Sequence, residues 1–247
     1  MVPETVSDDP NERGGDFFAT TRWTQVLAAR TDSPAACASL SDLCAAYYAP
    51  VHAYIARTSH DLGDPRDLTQ EFFARVLAGA MLGGADRERG RFRAYLLGAV
   101  KHFLADTRDR LRAVKRGAQH EHLPLVAGTD TSPGIEVPDA PPPDAWFDRQ
   151  WGVAVLDRAL TALAAEHAQQ GKAGHFQQLK PWLTGDGGEV TQAAVAVQCG
   201  MSEGAVKVAI HRLRKRFRDL VKAEIAETVA SEDEAREELR YLIEVVS

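Results

Sequence analysis

Lys207, His211, Arg214 and Arg218 recur every three or four residues along a stretch with helical periodicity, with Arg212, Lys215 and Arg216 between them. Cations at that spacing on one helix suit a polyanion, because each can neutralise a phosphate and release its condensed counterions. A second set, Lys101, Arg108, Arg112 and Lys115, steps by seven, four and three along another segment. Tyr95 and His102 place flat rings beside it, a combination suited to stacking on unpaired bases. Residues that break and make bonds are not assembled this way. The chain has no HExxH and no Walker loop, and its GDGG run at 185–188 lacks the phosphate-binding lysine. Asp106 and Asp109 lie within the basic segment, where they suit ion pairs one turn apart. His120 and His122 have no further ligands at metal spacing. Cys37, Cys44 and Cys199 form no CxxC pair, and the first two read as buried small hydrophobes. The expectation is a binding protein and not an enzyme, with no metal and no cofactor.

The elements that position these residues are legible from caps and periodicity. Between Val190 and Lys222, Thr191 caps a short helix in which Ala194, Val195 and Val197 are available to pack, and Gly200 permits a turn. Ser202 then caps a longer helix with Glu203 in its first turn, where a carboxylate suits the dipole. Val206, Ile210, Leu213, Phe217 and Leu220 form its buried stripe. This is helix-turn-helix grammar. A helical hairpin that binds protein is the weaker reading, because cap, glycine turn, short first helix and basic outer face occur together.

Upstream, Ser33-Pro34 starts a helix with Cys37, Leu40, Leu43, Cys44 and Tyr47 inward, and Pro50 marks a kink or break. Asp64-Pro65 starts another, RDLTQEFFARVLAG, in which Leu68, Phe72 and Val76 pack and Asp67, Gln70, Glu71 and Arg75 stay outside. Two adjacent phenylalanines do not point inward equally: either Phe73 joins the ordinary core, or one aromatic stands at the rim and with the acids makes a docking face for a protein. A long helix runs from Arg91 to Arg116 over Phe92, Leu96, Ala99 and Phe103. Asp144 caps a further helix with Trp146, Trp151, Val155, Leu156, Leu160 and Leu163 as its stripe, and a shorter helix lies around His175 to Leu183. Ser231 and Glu234 form a capping box for a last helix, with Leu239, Leu242 and Ile243 on one face and acid outside.

Only 7% of the 247 residues are aromatic and β-branched runs are scarce, which favours an all-α fold. The net charge of −6 averages over segregated acid and base. The expected organisation is an acidic tail over 1–15, a helical domain over 16–117 and a Pro/Gly/acid-rich linker over 118–144. A helix-turn-helix domain over 145–228 and an acidic helix over 229–247 complete it. No signal peptide or membrane-spanning run is evident, so a cytoplasmic protein without a membrane partner is expected.

The chain resembles bacterial RNA polymerase sigma factors of the extracytoplasmic-function group, particularly planctomycete-type forms, over about Thr20 to Arg240. Three segments carry the likeness. DLTQEFF, Asp67 to Phe73, matches the family's helix for the clamp of the polymerase's largest subunit. YLLGAVKHFLADTRDR, Tyr95 to Arg110, stands for WLxxIARNxxxDxxR. AVAVQCGMSEGAVKVAIHRLR, Ala194 to Arg214, stands for EIAxxLGxxxGTVKSRxxRAR. Ala194 replaces the usual acid, Val208 and Ala209 replace Ser-Arg, and His102 replaces asparagine.

The resemblance implies that Asp67, Leu68, Gln70, Glu71, Phe72 and Arg75 bind polymerase core. It implies that Arg93, Tyr95, Lys101, His102, Arg108, Arg112, Lys115 and Arg116 melt and read the minus-ten element. Ser202, Glu203, Gly204, Ala205, Lys207, Val208, His211, Arg212, Arg214 and Lys215 would read the minus-thirty-five element. The implied partners are polymerase core, promoter DNA as duplex and as single non-template strand, and an anti-sigma factor or other regulator. A stand-alone helix-turn-helix regulator is the alternative function. The acidic last helix is expected to shield the DNA-binding surface.

Overall fold

The computed structural model describes residues 22–23, 34–78, 91–118, 141–184 and 191–247, with side chains described through residue 114 of the 91–118 stretch. All regular structure among these residues is helical, as the composition leads one to expect. In chain order the helices are α1 (Pro34–Thr58), α2 (Pro65–Leu77), α3 (Phe92–Ala118), α4 (Pro143–Gln169), α5 (Ala173–Leu179), α6 (Pro181–Thr184), α7 (Gln192–Cys199), α8 (Glu203–Ala226) and α9 (Glu232–Val246). The chain forms two compact units, one spanning Gln25–Trp151 and the other combining Met1–Thr24 with Gly152–Ser247.

In the Gln25–Trp151 unit, α1 continues through Pro50 without the break that proline suggests, and carries Leu40, Leu43, Cys44 and Tyr47 inward. Cys37, expected to be buried, is exposed; burial holds for Cys44, whose thiol pKa it pushes up to about 12. Asp64 caps α2 by accepting from the Arg66 N–H at 2.7 Å. Phe72 and Phe73 are both buried, at 0% and 7% exposure. The expected rim aromatic is therefore absent from this pair, because α2 has neighbours on two sides. Phe72 packs edge-on to Phe103 of α3 with ring centroids 5.6 Å apart, while Phe73 stacks on Tyr48 of α1 at 5.7 Å.

The opening turns of α4 complete this unit. Phe147 packs edge-on to Tyr54, and the Trp151 indole N–H donates to the Tyr47 hydroxyl at 3.0 Å. Asp148 pairs with Arg93, whose guanidinium also lies 4.9 Å from the Trp151 ring centroid. The sequence pattern predicts residues from 145 onward in the following domain, with one continuous stripe along α4. The stripe instead divides at Gly152, since Tyr47, Tyr54 and Arg93 supply partners that only Phe147, Asp148 and Trp151 can satisfy. Pro143 opens the helix, so Asp144 lies in its first turn and not at the cap.

The other unit is built around Leu163, Phe176, Leu179, Val195, Ala196, Val206, Ile210 and Leu213. Val195 and Ala196 are the buried members of α7, whereas Val197, expected to pack, is 84% exposed. Along α8 the stripe holds at Val206, Ile210 and Leu213, is half-buried at Phe217 and Leu220, then moves to Val221 and Ile225, where α9 becomes its neighbour. Ser231 caps α9 as expected by accepting from the Glu234 N–H at 3.2 Å, while the Glu234 carboxylate accepts from the Ala230 N–H at 2.8 Å. Leu242 is buried, Leu239 half-buried and Ile243 exposed. Lys222, Ala223 and Ala226 of α8 line a cavity with Ala235 and Leu239 of α9, and a Cβ on Gly152 would come within 2.7 Å of Val246. Trp23 is also buried here, its N–H donating to the Glu227 carbonyl at 3.2 Å. Its expected place was the amino-terminal domain.

Candidate nucleic-acid interface

Helix α7 ends on Gly200 at φ 63°, a left-handed residue that lets the chain turn without a Cβ penalty. The Thr191 hydroxyl accepts from the Ala194 N–H at 3.2 Å and the Ser202 hydroxyl from the Ala205 N–H at 3.2 Å, so both helices begin capped. The axes of α7 and α8 differ by 98° across this short turn.

With Val206, Ile210 and Leu213 held in the core, the opposite face of α8 is fixed by the 100° step of the helix. Gly204, Lys207, Val208, His211 and Lys215 point outward and are exposed, with Arg212 and Arg218 on its flanks. Ser202 and Glu203 are exposed at its amino end, and Ala205 is half-buried. Lys207, Arg212, Lys215 and Arg218 make no ion pair with any described residue. Arg214 differs from the expectation of a base or phosphate contact. Its guanidinium donates twice to the Trp182 carbonyl, at 3.1 and 3.0 Å, and ties α8 to α6. Arg216 pairs with Glu166 of α4, and this hydrogen bond holds the Glu166 carboxyl below its ordinary value and raises the guanidinium. Arg218, two turns beyond His211, extends the outward face past the expected residues; its spacing was visible in the sequence.

Beside this face lies a cleft of about 650 Å³ between α8 and the α4–α5 region, with Met201, Ala205, Val208 and Leu213 in its lining and Lys172 and Arg212 among its polar residues. Nothing in the local sequence marks it, because its walls come from separate helices.

The basic residues of α3 stand in a different environment. Arg93 is buried at 9% exposure and committed to Asp148, so the expectation that it faces DNA is corrected by the packing. Tyr95 is half-buried and tilted against Phe92, and burial raises its phenol pKa; it is not an open stacking ring. Lys101 Nζ lies 2.5 Å from Asp144, which raises its pKa. Arg108 donates to the Thr58 carbonyl and to Asp61, at 3.2 Å for the carboxylate, whose pKa this hydrogen bond lowers. Arg112 is exposed, 3.7 Å from Asp109, and His102 is exposed, 3.2 Å from Asp106. The side chains of Lys115 and Arg116 lie outside the described residues.

On α2, Asp67 and Gln70 are exposed and Glu71 and Arg75 are half-exposed, paired with each other, with Arg110 at 3.6 Å from Glu71. Leu68 and Phe72 are buried, which corrects their assignment as docking contacts: they hold the helix from within. Among the described residues no group of three or more histidines, cysteines and carboxylates could hold a metal, and no single helix is long and apolar enough to cross a membrane. Comparison with protein-family models, curated proteins and solved structures finds no match to this chain.

Proposed function

We propose that this chain is a two-domain sigma factor that binds bacterial RNA polymerase core and selects promoters, with α7 and α8 as its helix-turn-helix. The observation that carries the reading is the outward face of α8. Lys207, His211 and Lys215 follow one another at one-turn spacing, and Arg212 and Arg218 flank them, without acidic partners among the described residues. Arg212, Lys215 and Arg218, three residues apart, are like charges of the kind that destabilise an isolated helix by a few tenths of a kcal/mol per pair. A duplex phosphate array reverses that penalty on binding. The 98° turn between capped helices suits a recognition helix entering the major groove while its predecessor crosses the backbone.

The exposed Asp67 and Gln70 of α2 give polymerase core a polar surface backed by Leu68, Phe72 and Phe73. On this reading the polymerase supplies the chemistry and this protein supplies promoter choice. The test is capture of purified bacterial polymerase core by the full chain, with Asp67→Lys/Gln70→Ala as the control, since both residues are exposed and their replacement leaves the core intact. Capture that falls at least fivefold in the control is expected. Absence of capture beside intact duplex binding would favour the second reading, a stand-alone regulator. That reading draws on the pairing of Lys101 with Asp144 and Arg108 with Asp61, which leaves α8 as the more available cationic face.

A further inference from the structure

The only large apolar side chain exposed on α8 among the described residues is Val208, at 49% exposure. It sits in the middle of the outward face, one turn from Gly204 on one side and Arg212 on the other, with His211 beside it. Half of its surface is covered where it lines the cleft beside Met201 and Ala205, and the other half stands open on the cationic face. The buried stripe lies on the opposite side of the helix, and a branched side chain lowers helix propensity relative to the lysine and arginine around it. A Cβ at Gly204 would meet nothing closer than the Ser202 hydroxyl at 4.0 Å, so the helix surface one turn before Val208 is open.

Resting on the duplex-binding reading above, we infer that Val208 is a specificity-determining residue that packs against the 5-methyl group of a thymine in the major groove. In that groove the thymine methyl is the one apolar feature by which the standard base pairs differ. The flanking Lys207, Arg212 and Lys215 would hold the phosphates on either side and bring the valine to the base edge. Valine is suited to this contact because its χ1 is nearly fixed in a helix, so little rotamer freedom is lost on binding.

The experiment is selection of duplexes from a random library by the full chain, alone and with polymerase core, followed by replacement of each thymine in the enriched sequence by uracil, which removes only the methyl. One thymine position is expected at which uracil weakens binding by about fourfold, the worth of one buried methyl. The same replacement should have no effect on the Val208→Ala or Val208→Ser variants, which remain folded because the site is exposed. A duplex that is selected and bound but shows no thymine whose methyl effect depends on residue 208 overturns the inference, and leaves Val208 as part of a protein-facing wall of the neighbouring cleft. If no sequence is enriched under either condition, the duplex-binding reading falls and the inference falls with it.

Discussion

Helices α3 and α8 carry comparable runs of lysine and arginine, yet other elements meet them differently. On α3, Asp148 takes Arg93, Asp144 takes Lys101, Asp61 takes Arg108, and Glu71 lies within reach of Arg110. On α8, among the described residues, Arg214 and Arg216 are claimed by the Trp182 carbonyl and by Glu166, while Lys207, Arg212, Lys215 and Arg218 meet no described carboxylate. A basic helix thus has two uses. Where its cations are answered from within, they fasten helices to one another; where they are not, they stay exposed.

The contrast can be broken most forcefully at Arg93. Replacing it with alanine leaves Asp148 buried without its cation, so the Gln25–Trp151 unit should lose about 3–5 kcal/mol in urea unfolding. A loss below about 1 kcal/mol together with weaker DNA binding would make Arg93 a phosphate ligand after all. Next in size, Lys207→Ala/Arg212→Ala/Lys215→Ala should lower the salt dependence of duplex binding by about 2.7 in log–log slope and weaken affinity on the order of tenfold or more, whereas Arg108→Ala should leave the slope unchanged. Equal slopes for the two variants would erase the distinction between the helices. The smallest effect is expected at Glu166→Gln. Arg216 depresses the Glu166 pKa, so the pair stabilises the fold above the carboxyl's ordinary value of 4.5 and loses that contribution as pH falls through and below it. Because both side chains are substantially exposed, the variant should cost no more than about 1 kcal/mol at pH 7 and nothing at low pH. A cost that persists in acid would show that shape, not charge, holds the contact.

Local features were the legible ones. The caps at Asp64, Thr191, Ser202 and Ser231, the turn at Gly200 and the Val206–Ile210–Leu213 stripe all follow from residues within a few positions of one another, and the structure has each where the sequence places it. What escaped was set by partners distant in sequence. Arg93 and Asp148 are 55 residues apart, and nothing near either announces the pair. Phe73 is buried because Tyr48 lies across from it. The acidic α9 is expected to cover the DNA-binding face; the α8 residues it shares a cavity with, Lys222, Ala223 and Ala226, lie at the far end of α8. The docking role of Asp67 and Gln70 and the identity of the DNA element rest on resemblance, since exposure and charge alone name no partner.

The placement of Trp23 and Val246 also bears on how the chain is made. The unit containing α8 is fastened by residues 22–23 to Glu227, across 205 positions for Arg22, and by residues 242–246 to Gly152. Synthesis proceeds from the amino end, so Gln25–Trp151 has its packing partners well before the flanking unit has its own. The unit containing α8 is finished late, once residues 22–23 and 242–246 can both reach it, and contacts of such sequence separation form slowly. Nascent chains arrested before residue 242 would therefore present a largely assembled first unit beside an incomplete second one. Protease resistance should accordingly appear in two stages as translation advances.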